Sequence, residues 1–227
     1  MKGKVKHFPM RDRLTDIYDR LLERYGPRDW WPADSRFEVM VGAILVQNTA
    51  WSNAEKAIRA LSEAGLLSPQ ALRSTGQNQI AQLIYSSGYY NMKAKKLKAL
   101  VEWLGERDDD IEALMAEDPA TLREDLLAIH GIGEETADDI LLYALDMPVF
   151  VIDHYTKRLL HRLGLAPEKG PYALYQSLFT DHLSPDVLLF NEYHALIVTH
   201  AARVCKKEPA CGDCCLLPLC PTGKART

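Results

Sequence analysis

The sequence predicts an all-α protein, and three observations carry that reading. Where apolar residues recur with a period, it is the three-and-four spacing of one helix face, and no alternating run of useful length appears. Helix starts and stops bracket those runs: Ser35 and Asp118-Pro119 in front of them, Gly26-Pro27 and Pro148 behind. A chain of 227 residues, 47% hydrophobic and 26% charged, can bury a real core in one large or two small domains, which excludes a disordered chain or a disulfide-stapled miniprotein.

The elements follow in order. Leu14, Ile17, Tyr18, Leu21, Leu22 and Tyr25 form one helix face that stops at Gly26-Pro27. After a linker carrying Trp30-Trp31-Pro32, Ser35 caps a run from Phe37 to Val46 that is apolar on almost all sides, as suits a helix through the middle of a domain. Further helices are expected at 51–64, 78–85 and 91–105, the last capped by Asn91. Asp118-Pro119 opens a helix through Leu122, Leu126 and Leu127, and another runs over 134–145 to stop before Pro148. Helices at 154–163, 172–183 and 185–203 complete the set.

Composition narrows the class further. No apolar run reaches the ~18 residues that a membrane span needs. The N-terminal residues are basic but no apolar stretch follows them, so no secretory signal is expected and the chain belongs in a reducing cytosol. All five cysteines fall between Cys205 and Cys220, an odd number that argues against disulfides. The net charge of −4 would ordinarily speak against nucleic acid, but it is an average. Residues 1–13 carry five Lys/Arg against one Asp, Lys93 to Lys98 includes four lysines, and residues 203–227 carry five Lys/Arg against two acids. Residues 106–125 hold nine acids against two Arg.

Three motifs carry chemistry. In Leu126-Leu127-Ala128-Ile129-His130-Gly131-Ile132-Gly133-Glu134-Glu135-Thr136-Ala137, two glycines flank one apolar residue between two helices. This is the form of a tight helix-hairpin-helix turn whose outward amides suit a phosphate oxygen, and equally of an ordinary glycine-capped connection. Cys205, Cys211, Cys214 and Cys220 give C-x5-C-x2-C-x5-C, a set of thiolates for zinc or for an iron–sulfur cluster. Zinc ribbons usually separate two CxxC pairs widely, and only one such pair stands here. In Pro148-Val149-Phe150-Val151-Ile152-Asp153, an apolar extended piece delivers Asp153 to a helix start, where an N-cap worth ~1 kcal/mol is the plain reading.

Taken together, the hairpin Gly-Ile-Gly-x-x-Thr-Ala, the Val-Ile-Asp helix start and the cysteine loop resemble the endonuclease III branch of the helix-hairpin-helix (HhH-GPD) DNA glycosylases across essentially the whole chain. The resemblance implies a six-helix domain with the hairpin (36–146) and a four-helix lobe built from both termini (1–35 plus 147–227). It also implies a [4Fe-4S] cluster in the loop 204–221 on Cys205, Cys211, Cys214 and Cys220, and Asp153 as the catalytic carboxylate. The first cysteine gap, x5 against the family's usual x6, leaves Cys214 and Cys215 both open as third ligand.

Bifunctional members carry a nucleophilic lysine two residues after the second hairpin glycine, where this chain has Glu135. A carboxylate cannot form the Schiff base through which an amine cuts the backbone, so base removal without efficient strand cleavage is expected. Trp30-Trp31-Pro32, Val46-Gln47-Asn48-Thr49, Ser87-Gly88-Tyr89-Tyr90-Asn91 and the glutamate resemble the 3-methyladenine branch. That likeness implies a base pocket walled by Trp30, Trp31 and Trp51 with Glu135 nearby, although Trp51 also reads as core, Trp30 as a linker anchor and Glu135 as a solvated first-turn acid. Alkylation at a purine ring nitrogen leaves the base cationic, and electron-rich indole faces and a carboxylate suit a cation.

The expected mechanism holds duplex DNA by basic patches and by the amides of Gly131, Gly133 and Glu135, with the damaged nucleotide extruded. Gln47, matched to the family's space-filling glutamine, fills the vacated stack, and Asp153 stabilises charge on the sugar and directs water. By the same resemblance the protein is a cytoplasmic, nucleoid-associated monomer without a membrane partner. Two rivals stay open. One is an endonuclease III-like glycosylase and abasic-site lyase for oxidised pyrimidines. The other is a non-catalytic lesion-binding module, favoured by the acids Glu134, Glu135, Asp138 and Asp139 after the hairpin.

Overall fold

The computed structural model describes residues 9–227, so that residues 1–8 of the basic N-terminal run lie outside the described residues. Among the described residues every regular element is helical and none is a strand, as the sequence predicts. In chain order these are α1 (Met10–Tyr25), α2 (Arg36–Leu45), α3 (Trp51–Glu63), α4 (Pro69–Ser74), α5 (Gln77–Leu83), α6 (Tyr90–Gly105), α7 (Ile111–Leu114), α8 (Pro119–Ala128), α9 (Glu134–Asp139), α10 (His154–Arg162), α11 (Tyr172–Thr180), α12 (Val187–Arg203) and α13 (Pro221–Lys224). They fall into two compact units, Trp31–Met147 and the described part of Met1–Trp30 together with Pro148–Thr227.

Within Trp31–Met147, α2 is the central helix: it buries Phe37 and every residue from Val39 to Leu45, and packs against α3, α6 and α9. The Ser35 hydroxyl accepts from the Glu38 amide, so the cap and the apolar run act as predicted. Two short helices escape the periodic reading. α4 and α7 are too short to show a period, although Ser68 before Pro69 and Asp110 before Ile111 carry the cap signal, each accepting an amide three residues on. α6 starts one residue earlier than expected: Tyr89, at φ 46°, precedes it and Asn91 lies inside it. The helix expected at 134–145 is α9 followed by a π-helical turn, Ile140–Ala144, whose five residues are all buried.

The acidic stretch is put to structural use. Asp110 and Asp118 cap helices, Arg107 binds Asp125 at 2.6 Å, and Arg73 clasps Asp109 through both oxygens at 2.8 and 2.7 Å. The guanidinium beside it holds the Asp109 carboxyl below the usual carboxylate range.

In the other unit α12 is the spine, with α1 and α10 packed on it. Tyr193 on α12 donates to the Leu14 carbonyl at 2.8 Å, and stacked Phe150 and Phe179 rings (3.6 Å between centroids, 6° apart) fill the core beside it. Among the described residues no helix is long and apolar enough to cross a membrane.

Candidate functional site

The hairpin between α8 and α9 needs glycine at one of its two positions. Gly131 has φ +88°, and a Cβ there would lie 2.7 Å from Cδ and Cε of Lys96. Gly133, at φ −103° and ψ −179°, is ordinary extended backbone with open space where a Cβ would be. Ile132 between them is buried and anchors the turn. Gln47, in the turn after α2, is tied to this hairpin: its amide nitrogen donates to Thr136 Oγ1 at 2.8 Å and to the Gly131 carbonyl at 3.4 Å.

The surface after the hairpin is less acidic than its sequence. Asp138 is fully buried and held by Arg123 of α8, with Nε 2.6 Å and Nη2 3.3 Å from its two oxygens, and Asp139 is buried as well. Only Glu134 and Glu135 of the four acids are exposed, and Arg123 also stands 3.8 Å from Glu134. The observation that favoured a non-catalytic module is therefore halved.

Trp31 and Trp51 come together, with ring centroids 5.1 Å apart and planes at 85°, and Tyr143 from the π-helical turn lies 5.5 Å from Trp31 on another side. Gly42 lets the Trp31 indole lie directly on α2, since a Cβ there would be 3.0 Å from its ring. Trp30 lines a surface hollow with Tyr18, Asp29, Asp186, Leu188 and Glu192 of the terminal unit. Glu135 is exposed in the first turn of α9.

Asp153 is the N-cap of α10, its Oδ1 accepting the Thr156 amide at 2.7 Å, and it is 7% exposed. The segment delivering it is pinned from α11: the Tyr172 hydroxyl accepts the Ile152 amide at 2.9 Å, and Gln176 donates to the Phe150 carbonyl at 2.8 Å. His194 of α12 approaches with Nε2 3.9 Å from Oδ1, and burial pushes its imidazole pKa down, so it stands there neutral at pH 7.

The cysteines are all free, and Cys205, Cys211, Cys214 and Cys220 line one cavity with Leu159, Leu163, Val204 and Leu216. Cys215 does not line it and has Arg20, Glu23 and Arg24 of α1 as its charged neighbours. Two donors already face the sulfurs: Arg162 Nη1 is 3.2 Å from Cys205 Sγ and the Gly223 amide is 3.2 Å from Cys220 Sγ, a thiol that itself donates to the Arg162 carbonyl at 3.2 Å, while His200 Nε2 lies 3.5 Å from Cys214 Sγ. Tyr25 meets the other His200 nitrogen at 2.9 Å. Arg158 and Arg162 also hold the loop by its carbonyls at Cys205, Lys206 and Lys207. Among the described residues, no group of three or more His, Cys, Asp and Glu is gathered as a bound metal ion requires.

Sequence reasoning missed these second partners, His194, His200 and Arg162, because nothing in a linear spacing says which helix faces will meet. It also passed over Tyr85 and Tyr89, which are 68% and 72% exposed beside the lysine-rich face of α6 and could have been flagged as aromatics interleaved with cations.

Residues 41–181 match the model of the HhH-GPD superfamily of base excision DNA repair proteins. The chain belongs to that superfamily, and so to the base-excision DNA glycosylases. It is 44% identical over 211 residues, 92% of this chain and 96% of the other, to a protein of Methanocaldococcus jannaschii named "Putative DNA repair glycosylase MJ1434". It is 31% identical to endonuclease III of Sulfolobus acidocaldarius, over 81% of each chain. Among solved structures, H. pylori 3-methyladenine DNA glycosylase (MagIII) bound to 1,N6-ethenoadenine is 27% identical with a TM-score of 0.70, covering 85% of this chain and 97% of that one. A non-covalent endonuclease III–DNA complex shares the fold with a TM-score of 0.82 at 20% identity, covering 96% of this chain and 99% of that one.

Proposed function

We propose that the protein is a monofunctional DNA glycosylase that hydrolyses the N-glycosidic bond of N-alkylated purines such as 3-methyladenine in duplex DNA. The observation that carries this reading is the perpendicular Trp31–Trp51 pair, in the same unit as a hairpin that presents Glu135 where the family's lyases present lysine. Each indole face attracts a cationic base by ~0.5–2 kcal/mol, and a carboxylate adds Coulomb attraction. The likeness to MagIII supports the same substrate class.

In this mechanism the exposed Lys95 of α6 and the open amides around Gly133 take phosphates, and Gln47 occupies the place of the extruded nucleotide. The alkylated base is already a good leaving group, so the bond breaks with little acid assistance. Asp153 stabilises the positive charge developing on the sugar and orients the attacking water, while its cap to Thr156 fixes the carboxylate before DNA arrives.

The cysteine cavity suits a [4Fe-4S] cluster held by Cys205, Cys211, Cys214 and Cys220. Burial raises the Cys214 thiol to about 11, so ligation would release a proton that the empty thiol keeps at neutral pH. The N–H groups of Arg162 and Gly223 directed at sulfur favour thiolates. Zinc ribbons usually separate two CxxC pairs widely, and one such pair stands here. A cluster supplies electron-transfer capacity when bound, and base hydrolysis uses none of it. When bound it would add to the hold that Arg158 and Arg162 already have on the loop carrying Lys206 and Lys207. Cys214→Ser is expected to lose the visible absorbance of the purified protein and most of its iron, whereas Cys215→Ser keeps both. Iron analysis of the two variants checks this choice of ligand.

The reading is tested by incubating the protein with methylated duplex DNA and identifying the freed bases. Free 3-methyladenine with unbroken strands is expected; strand nicks trapped by borohydride would favour the lyase reading. The same chemistry predicts that Glu135→Lys acquires a borohydride-trapped adduct with abasic DNA that the parent lacks, because the new amine can add to the sugar aldehyde and lose water. Gel mobility of the trapped complex checks it.

A further inference from the structure

We infer that Lys96 is a positioning residue for Gln47, latching that side chain onto the hairpin in a single orientation before DNA binds; the inference rests on the proposed role of Gln47 in duplex DNA. Lys96 lies half-buried on α6 and does two things at once. Its methylenes run across Gly131, so closely that a Cβ on that residue would displace them, and its ammonium then reaches Gln47 Oε1 at 2.5 Å. The Gln47 amide nitrogen faces two acceptors, Thr136 Oγ1 and the Gly131 carbonyl. An ammonium can only donate, and a carbonyl can only accept. A flipped amide would therefore set its NH2 against Lys96 and its oxygen against the Gly131 carbonyl, so one orientation alone satisfies all three partners.

The turn that carries Gln47 is fixed from the same helix. Buried Lys93, one turn before Lys96, donates to the Leu45 carbonyl at 2.8 Å and to the Ser87 carbonyl at 2.6 Å, so the end of α2 is held to the turn before α6. With its backbone fixed by Lys93 and its amide by Lys96, Gln47 starts ordered, which lowers the entropy cost of filling the gap left by an extruded nucleotide. A single strand has no stack to fill, and that contrast separates positioning of Gln47 from phosphate binding by the Lys96 charge.

The test measures release of 3-methyladenine from duplex and single-stranded oligonucleotides by the full protein, Lys96→Met, Gln47→Ala and the double variant. Lys96→Met keeps the stem over Gly131 and loses only the ammonium. The expected result is an about 10-fold drop in kcat/KM on duplex, no change on the single strand, and a double variant no worse than Gln47→Ala. Equal losses on both substrates, no loss on duplex, or additive effects in the double variant would overturn the inference. Absence of base release by the parent protein would instead overturn the proposed function, so the two failures are distinguishable.

Discussion

Asp153→Asn should lower release of alkylated purines by about 10²–10⁴-fold while leaving the protein as stable as its parent. The two halves of that expectation come from two different atoms' worth of chemistry. The cap needs an oxygen to accept the Thr156 amide, and asparagine supplies one as well as aspartate does. The reaction needs a negative charge facing the developing positive charge on the sugar, and asparagine has none. Capping alone, the plain reading of an acid at a helix start, predicts full activity in this variant. Single-turnover release of 3-methyladenine together with a thermal melt separates the readings: a wild-type rate removes Asp153 from the chemistry, and a lowered melting temperature shows that the substitution has disturbed the start of α10.

The second large effect is on stability. Arg123→Ala is expected to destabilise the protein by ~3–5 kcal/mol, because Asp138 has no exposed side-chain surface and would lose the guanidinium that pairs with it inside the fold. The pair joins α8 to α9 across the hairpin, so the loss falls on the element that presents Gly131, Gly133 and Glu135. Replacing both partners with apolar residues of similar size, Arg123→Met with Asp138→Leu, should recover much of the loss, since what costs is the lone charge and not the absence of the pair. Denaturant unfolding of the parent and the two variants measures this. Equal destabilisation by the single and double variants would show that Asp138 is held by its other surroundings.

What the sequence told in advance follows from where the physics is local. Caps and periods are short-range properties, so α2 behind Ser35, α8 behind Asp118-Pro119 and α10 behind Asp153 were legible, while α4 and α7 are shorter than the window that reveals a period. The hairpin was legible from its glycines, yet only Gly131 adopts a conformation that favours glycine. The charge of the hairpin helix was misjudged because sequence counts Asp138 and Asp139 as surface acids, whereas both are buried. Of the three tryptophans assigned to a pocket, Trp31 and Trp51 meet through a tertiary contact that no spacing reports. Lys93 and Lys96 were counted as parts of a basic patch, and their actual partners, on α2 and the turns around it, lie more than 40 residues away or in a turn whose geometry no spacing reports.

The most direct measurement is a competition in one tube. Duplexes carrying methylated purines and duplexes carrying oxidised pyrimidines are mixed with the full protein, and both the free bases and the strand lengths are read. A base site of perpendicular indoles with no amine at position 135 predicts free 3-methyladenine, retained oxidised pyrimidines, and strands that break only on later treatment with alkali. Release of oxidised pyrimidines with immediate nicking, or binding of both duplexes with no base released, would contradict it.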